Sequence, residues 1–204
     1  TRPATAPGSS LAPSRSRAFR PPGDEPGLAR RVSPIRLDLG CGKKKRAGYV
    51  GIDSAATSHA DLLADIERGI PLRADSCEAI LCDNLLEHMR DLIPVMNEIW
   101  RVARHGAAIE IIVPYYLWAG AYQDPTHVRF FTEKTFLYFN RSLPYDYGFV
   151  GKFDIKSVEL VANPEFAQEL PNIPQAIAMK YFMNAVKSMI VHLVADKRFP
   201  GAPV

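Results

Sequence analysis

The chain has 204 residues, 47% of them hydrophobic, which is enough to bury the core of one ordinary α/β domain. Its formal charge of +3 is concentrated in residues 1–34, where Arg2, Arg15, Arg17, Arg20, Arg30 and Arg31 face only Asp24 and Glu25. That segment carries +4 and leaves −1 for the remainder, so the folded part offers no broad positive field and the basic balance argues little for a nucleic-acid partner.

The same 34 residues hold seven of the 17 prolines and show no helical or alternating apolar period. They read as a Pro/Arg-rich flexible tail before a single domain over 35–204. No secretory signal is evident, and no stretch approaches the roughly 20 apolar residues of a membrane span, so a cytoplasmic protein without a membrane partner is expected. Cys41, Cys77 and Cys82 are odd in number and lack zinc-ligand spacing, so reduced thiols are expected. A metal centre built from His88, His127 and nearby acids is the alternative to a metal-free site, but no ligand spacing supports it, so no metal is expected.

From residue 35 strand-like runs alternate with helical patterns, which predicts a mostly parallel sheet. Ile35–Leu39 reads as the first strand, Tyr49–Asp53 as the second, Asp61–Ala64 as a short third, Glu78–Asp83 as the fourth and Ala108–Val113 as the fifth. Leu92, Val95, Met96, Ile99, Trp100 and Val102 recur at helical spacing through 91–104, with Gly106 placed to stop that helix. Thr132 is placed to cap a helix bearing Phe136 and Phe139, Phe153–Val161 alternates like a strand, Pro174–Val186 looks helical and Met189–Ala195 reads as a last strand. Only Gly40–Gly48 connect the first two strands, so the first helix is expected to shrink to about a turn.

The chemistry begins at Leu37-Asp38-Leu39-Gly40-Cys41-Gly42. Two glycines let the backbone turn sharply off the strand and come close to a ligand, and Cys41 keeps the turn small. Asp53 ends the neighbouring strand, where a carboxylate can accept both hydroxyls of a ribose. A nicotinamide dinucleotide needs a third glycine and a full helix for its pyrophosphate; Lys45 occupies that position and the helix is nearly absent. S-adenosylmethionine (SAM) carries no phosphate and makes neither demand. Lys43, Lys44, Lys45 and Arg46 read first as a solvated charge run; the alternative is that one of these cations holds a ligand carboxylate in place of the missing helix terminus.

The motifs in order closely resemble the class I SAM-dependent methyltransferase family. They are Leu37–Asp53, Asp61–Ile66, Ile70-Pro71-Leu72, Cys82–His88, Glu98–Val102 and Ile111–Pro114. A later Asp124-Pro125-Thr126-His127-Val128-Arg129-Phe130-Phe131 resembles a subgroup with a short glycine-loop crossover. The resemblance implies a Rossmann-like fold with a seven-stranded, mostly parallel sheet, helices on both faces and a shortened first helix. It implies SAM as cofactor, with Gly40–Gly42 under the methionyl part, Asp38 near the amino group and Asp53 on the ribose. Asp65 and the Ile66 backbone would meet the adenine, and the Asn84 backbone the methionyl ammonium.

Ligands of such sheets lie beyond the carboxyl ends of the strands, so the acceptor is expected against 84–88 and 115–131. Glu87, His88, Tyr115, Tyr116, Tyr122 and Arg129 are candidate acceptor contacts, with Trp118 beside them. His127, oriented by Asp124, is the candidate base, with a turn-capping Asp124 and a carbonyl-bonded His127 as the alternative. The expected function is methyl transfer to an oxygen, nitrogen or carbon nucleophile of a small molecule such as a sugar or secondary metabolite. The rivals are an RNA or other macromolecule methyltransferase and a non-catalytic binding subunit of the same fold. Nothing indicates a homo-oligomer.

Overall fold

The computed structural model describes residues 33–141 and 147–198. The predicted tail lies, as far as Val32, outside the described residues. Seven strands form one sheet: β1 (Ile35–Leu39), β2 (Val50–Asp53), β3 (Leu62–Leu63), β4 (Cys77–Asp83), β5 (Ala103–Pro114), β6 (Phe153–Ala162) and β7 (Val186–Ala195). Their order is β3-β2-β1-β4-β5-β7-β6, parallel through β5, with β7 antiparallel to both β5 and β6. This is the expected α/β Rossmann-like arrangement. The helices are α1 (Leu92–Val102), α2 (Gly120–Gln123), α3 (Pro164–Glu169) and α4 (Gln175–Tyr181).

One face of the sheet is the core. Leu39, Cys82, Ile111 and Val191 line up across four strands, as do Leu37, Ile80, Ile109 and Leu193, and all eight are at most 1% exposed. Burying each of the large aliphatic side chains stabilises the fold by about 1.5–3 kcal/mol. Helix α1 adds Val95, Met96, Ile99 and Val102 to the same cluster. Asp91 caps it by accepting from the Ile93 amide at 3.2 Å.

The opposite face carries a largely polar row. Asp38, Leu81, Glu110, His192 and Ser157 are register partners in turn. Arg46 donates to Glu110 at 2.8 Å, and Ser157 Oγ lies 2.9 Å from His192 Nδ1. Arg46 belongs to the β1–β2 crossover, which therefore runs over this face.

That crossover contains no helix at all, rather than the single turn expected. Side chains replace the missing ladder. Asp38 accepts from the Arg46 amide at 2.7 Å, while Asp61 accepts from the Gly51 amide at 2.8 Å and from Lys45 Nζ at 2.7 Å. Gly51 must be glycine, because a Cβ there would stand 2.7 Å from both Cys41 Sγ and Lys45 Cδ.

Three local expectations are corrected. Gly106 does not stop α1, which passes directly into β5 at Ala103. Gly106 instead sits at φ +79 in a bulge where β4 runs from Cys77 to Ala79 while β5 runs from Ala103 to Ala108. The helix expected over 174–186 spans only Gln175–Tyr181. The helix after Thr132 is a 3-10 turn over Thr135–Phe139; the Thr132 hydroxyl does accept from the Lys134 amide at 3.3 Å, and Phe136 and Phe139 are buried together.

Candidate active site

The carboxyl ends of the parallel strands converge on two adjoining clefts that share Gly40 and Asn84. The larger, about 350 Å³, is lined by Asp38, Cys41, Gly42, Lys43, Lys44 and Asp83 among others; the other, about 250 Å³, by Ile52, Asp53, Asp65, Ile66, Leu85, His88 and Met89. All eight residues expected to hold the cofactor line one or both of them.

Gly40 and Gly42 have φ of +66° and +50°, the left-handed region where a side chain is strained. A Cβ on Gly40 would stand 2.6 Å from Leu85 Cδ1, whereas one on Gly42 would meet nothing within 4 Å. The turn is thus bare on the side that opens into the cleft. It is tied to the tip of β2 by the Gly42 amide, which donates to Asp53 Oδ2 at 2.8 Å; Asp53 Oδ1 accepts from the Ala55 amide at 2.7 Å. Each Asp53 oxygen keeps a second lone-pair site for a ligand hydroxyl.

Asp65 caps the short turn over Ile66–Arg68 by accepting from the Glu67 amide at 3.1 Å, pairs with Arg68 at 3.2 Å, and lines the same cleft as Ile66. Asn84 adopts φ +50°, its amide donating to the Ile112 carbonyl at 2.9 Å. Its own carbonyl is the backbone atom left for a ligand. This donor set suits the cofactor implied by the resemblance: two acids for hydroxyl and amine groups, a bare backbone turn between them, and no demand for phosphate.

Asp38 has a structural bond besides the cofactor contact expected of it. It is 3% exposed and spends Oδ2 on the Arg46 amide, and burial raises its carboxyl above the ordinary range. It holds the crossover shut while lining the cleft. The four crossover cations also divide. Lys45 and Arg46 are engaged by Asp61 and Glu110, and Lys43 and Lys44 line the larger cleft.

The acceptor end is rearranged relative to expectation. Asp124 does not orient His127, whose Nε2 is 4.0 Å from Asp124 Oδ2. Asp124 instead closes its own turn, accepting from the Thr126 hydroxyl at 2.6 Å and the Thr126 amide at 2.8 Å, and these bonds hold its carboxyl below the ordinary range. His127 is oriented by the Ala121 carbonyl, 2.9 Å from Nδ1. His88 reaches across to the loop, its Nδ1 2.9 Å from Thr126 Oγ1, and the two imidazole rings meet edge to face at 4.8 Å. The Glu87 carbonyl pins the loop by accepting from the Val128 and Arg129 amides at 2.8 and 3.1 Å.

Two candidate acceptor contacts are corrected. Tyr115 is 3% exposed with its hydroxyl on Glu133 at 2.9 Å, so it belongs to the core, and burial raises its phenol. Arg129 turns away, donating from Nε to the Met89 carbonyl at 3.2 Å and from Nη2 to that of Arg90. Tyr122 is exposed, stacks on Phe130 at 4.4 Å and donates to the Tyr116 carbonyl at 2.9 Å. Glu87 is 1% exposed and neither carboxylate oxygen has a hydrogen-bond partner; burial pushes its carboxyl up to about 7. Sequence spacing indicated no metal-ligand cluster, yet the fold gathers Glu87, His88 and His127 with one donor atom of each within 4.8 Å of the others.

Thr126 and Leu85 were missed. Thr126 lay inside the quoted Asp-Pro-Thr-His segment, and the Asp-x-Thr spacing of a side-chain-capped turn is the signal that could have found it.

A family described as a methyltransferase domain matches residues 37–111. No curated protein matches the sequence. Among solved structures, a SAM-dependent methyltransferase from Archaeoglobus fulgidus superposes with TM-score 0.58 at 15% identity, over 79% of this chain and 86% of that one. The phosphoethanolamine N-methyltransferase 2 of Haemonchus contortus gives 0.56 at 12% identity, over 80% of this chain and 49% of its own. The cyclase SpnF gives 0.53 at 19% identity, over 80% and 76%. At such identities the likeness is one of fold.

Proposed function

We propose that this chain is a class I SAM-dependent methyltransferase that transfers the methyl group of SAM to an oxygen, nitrogen or carbon nucleophile of a small molecule; the match of residues 37–111 to a methyltransferase domain supports that reading. A sugar or secondary metabolite is the class in view. The observation that carries the reading is His88: it lines the cofactor cleft and is hydrogen-bonded to Thr126 of the 115–131 loop, so the loop borders the place where a methyl group would be presented.

When bound, the cofactor supplies a methyl group on a sulfonium sulfur for in-line displacement. Gly40–Gly42 and Asn84 position its methionyl part, Asp53 takes the ribose hydroxyls, and Asp65 with the Ile66 backbone takes the adenine. Lys43 or Lys44 takes the carboxylate in place of the absent helix terminus. Alignment and exclusion of water lower such a barrier by roughly 7–11 kcal/mol in well-oriented cases, so little further chemistry is asked of the chain. The acceptor lies against His88, His127, Tyr116 and Tyr122, and any proton it loses departs at the imidazole end. A macromolecular acceptor finds less support, because two of the four crossover cations are neutralised internally. The free, buried Cys41, Cys77 and Cys82 support a cytoplasmic setting, and no helix among the described residues is long and apolar enough to cross a membrane.

The test is a calorimetric titration with S-adenosylhomocysteine, followed by transfer of labelled methyl from SAM to a panel of sugars, phenols and amines. One-site binding and label in a small-molecule product are expected. Label confined to added RNA or protein would overturn the small-molecule reading.

A further inference from the structure

We propose that Glu87, His88 and His127 bind one first-row divalent transition-metal ion, with Zn²⁺ as its probe, and leave a coordination position open toward the methyl acceptor. The site stands on geometry alone; its use in the reaction rests on the methyl-transfer reading above.

The first observation is the carboxylate. Glu87 is 1% exposed and both its oxygens lack a hydrogen-bond partner. A buried carboxylate in that condition is costly unless it is neutralised or coordinates a cation. One of its oxygens and one nitrogen of each histidine already lie within 4.8 Å of one another. Ligand bonds of about 2.0 Å in a tetrahedral site set the donor atoms about 3.3 Å apart, so the three side chains would draw closer around an ion.

The second observation is the state of the imidazoles. The Thr126 hydroxyl gives its only proton to Asp124, so His88 Nδ1 must be the donor in the 2.9 Å contact with Thr126 Oγ1. The Ala121 carbonyl can only accept, so His127 Nδ1 is also a donor. With Nδ1 donating in each, Nε2 is the ring nitrogen left to meet an ion. Each ring is held by an outer hydrogen bond of the kind that fixes tautomer and orientation in histidine metal sites. Two imidazoles and one carboxylate suit zinc or a neighbouring first-row ion rather than Mg²⁺ or Ca²⁺. The spacing does not depend on the ion, because the Val128 and Arg129 amides bond the Glu87 carbonyl and clamp the two segments together.

Three protein ligands leave room for a fourth. An acceptor hydroxyl or amine placed there would release its proton to solvent more readily, which prepares the nucleophile without a dedicated base.

Full-length protein stripped with chelator, reloaded with ZnCl₂ and desalted should retain one zinc per chain by elemental analysis. Glu87→Gln and His127→Gln should each weaken zinc binding at least 100-fold by calorimetry, and Thr126→Val about 10-fold through its loss of the hydrogen bond to His88. His105→Ala, a substitution at an exposed histidine elsewhere, should change nothing. S-adenosylhomocysteine titration of Glu87→Gln and Thr126→Val, expected to match the parent protein, shows that neither loss reflects unfolding. Failure of the parent protein to retain zinc, or retention undiminished in both Glu87→Gln and His127→Gln, overturns the site. A parent protein that binds zinc and not S-adenosylhomocysteine would defeat the methyl-transfer reading and leave the cation site standing.

Discussion

Most of the cofactor end of the cleft comes from one continuous stretch, Asp38 to Ile66, joined by Asn84 at the end of β4, and its acids are fixed mainly by bonds to nearby amides: Asp38 to Arg46, Asp53 to Gly42, Asp65 to Glu67. The acceptor end is assembled from two segments 38 positions apart, joined by His88 on Thr126 and by the Glu87 carbonyl on Val128 and Arg129. A site built by local turns declares itself through residue spacing. A site built by contacts across the fold fixes the orientation of its side chains only when both segments have folded.

The comparison breaks most readily at Gly40. Gly40→Val places a branched side chain at φ +66° and against Leu85, costing about 2–4 kcal/mol from the left-handed backbone and the overlap together. S-adenosylhomocysteine affinity should fall more than 30-fold by calorimetry and the thermal midpoint should drop, while Thr126→Val at the other end leaves that affinity within two-fold. Next comes Asp53→Ala, which removes the acceptor of two amides and the acceptor proposed for the ribose; about 2–3 kcal/mol, or roughly 30- to 150-fold in affinity, is expected from the loss of charged hydrogen bonds. Equal affinity in Asp53→Ala and the parent protein would erase the distinction between the two ends.

A smaller effect separates the crossover cations. Replacing Lys43 and Lys44 with alanine should weaken S-adenosylhomocysteine about five-fold at low salt and less at high salt, an exposed-charge effect of about 1 kcal/mol. Lys45→Ala should instead cost stability, by no more than about 1 kcal/mol, since its partner is Asp61. The reverse pattern would mean that the cleft has been assigned the wrong pair.

The smallest effect lies away from both ends. Arg101, 2.6 Å from Glu98, and the Ile70 amide hold the Glu98 carboxyl below the ordinary range. A depressed folded value gives stability that is fully present above the unfolded pKa of about 4.3 and lost as pH falls through the folded one. Thermal melts should show a loss below about pH 4 that is reduced in Glu98→Gln, with cofactor affinity at neutral pH unchanged.

Much of the fold was legible in the sequence. The seven strands appear in the expected order because buried strands and α1 impose their periods directly on the apolar residues. Gly106 misled because a glycine after an apolar helical run also suits a bulge, and only strand pairing decides between them. At the cofactor end Gly40, Gly42, Asp53, Asp65 and Asn84 all line the expected clefts, since their positions follow from strand ends. At the acceptor end the residues were located and their partners were not. Asp124 turned to Thr126, the turn-capping alternative that Asp-x-Thr spacing signals, while Arg129 turned to backbone carbonyls and Tyr115 to Glu133, choices made by tertiary geometry that no spacing encodes.

The central claim is that the glycine turn and the two strand-end acids hold an adenosyl cofactor while the histidine end faces its acceptor. A crystal structure of the S-adenosylhomocysteine complex tests it most directly. The account predicts the ribose on Asp53, the adenine beside Asp65 and Ile66, the homocysteine over Gly40–Gly42, and the sulfur directed toward His88 and His127. A ligand seated outside these two clefts, or with its sulfur pointing away from the histidines, would contradict it.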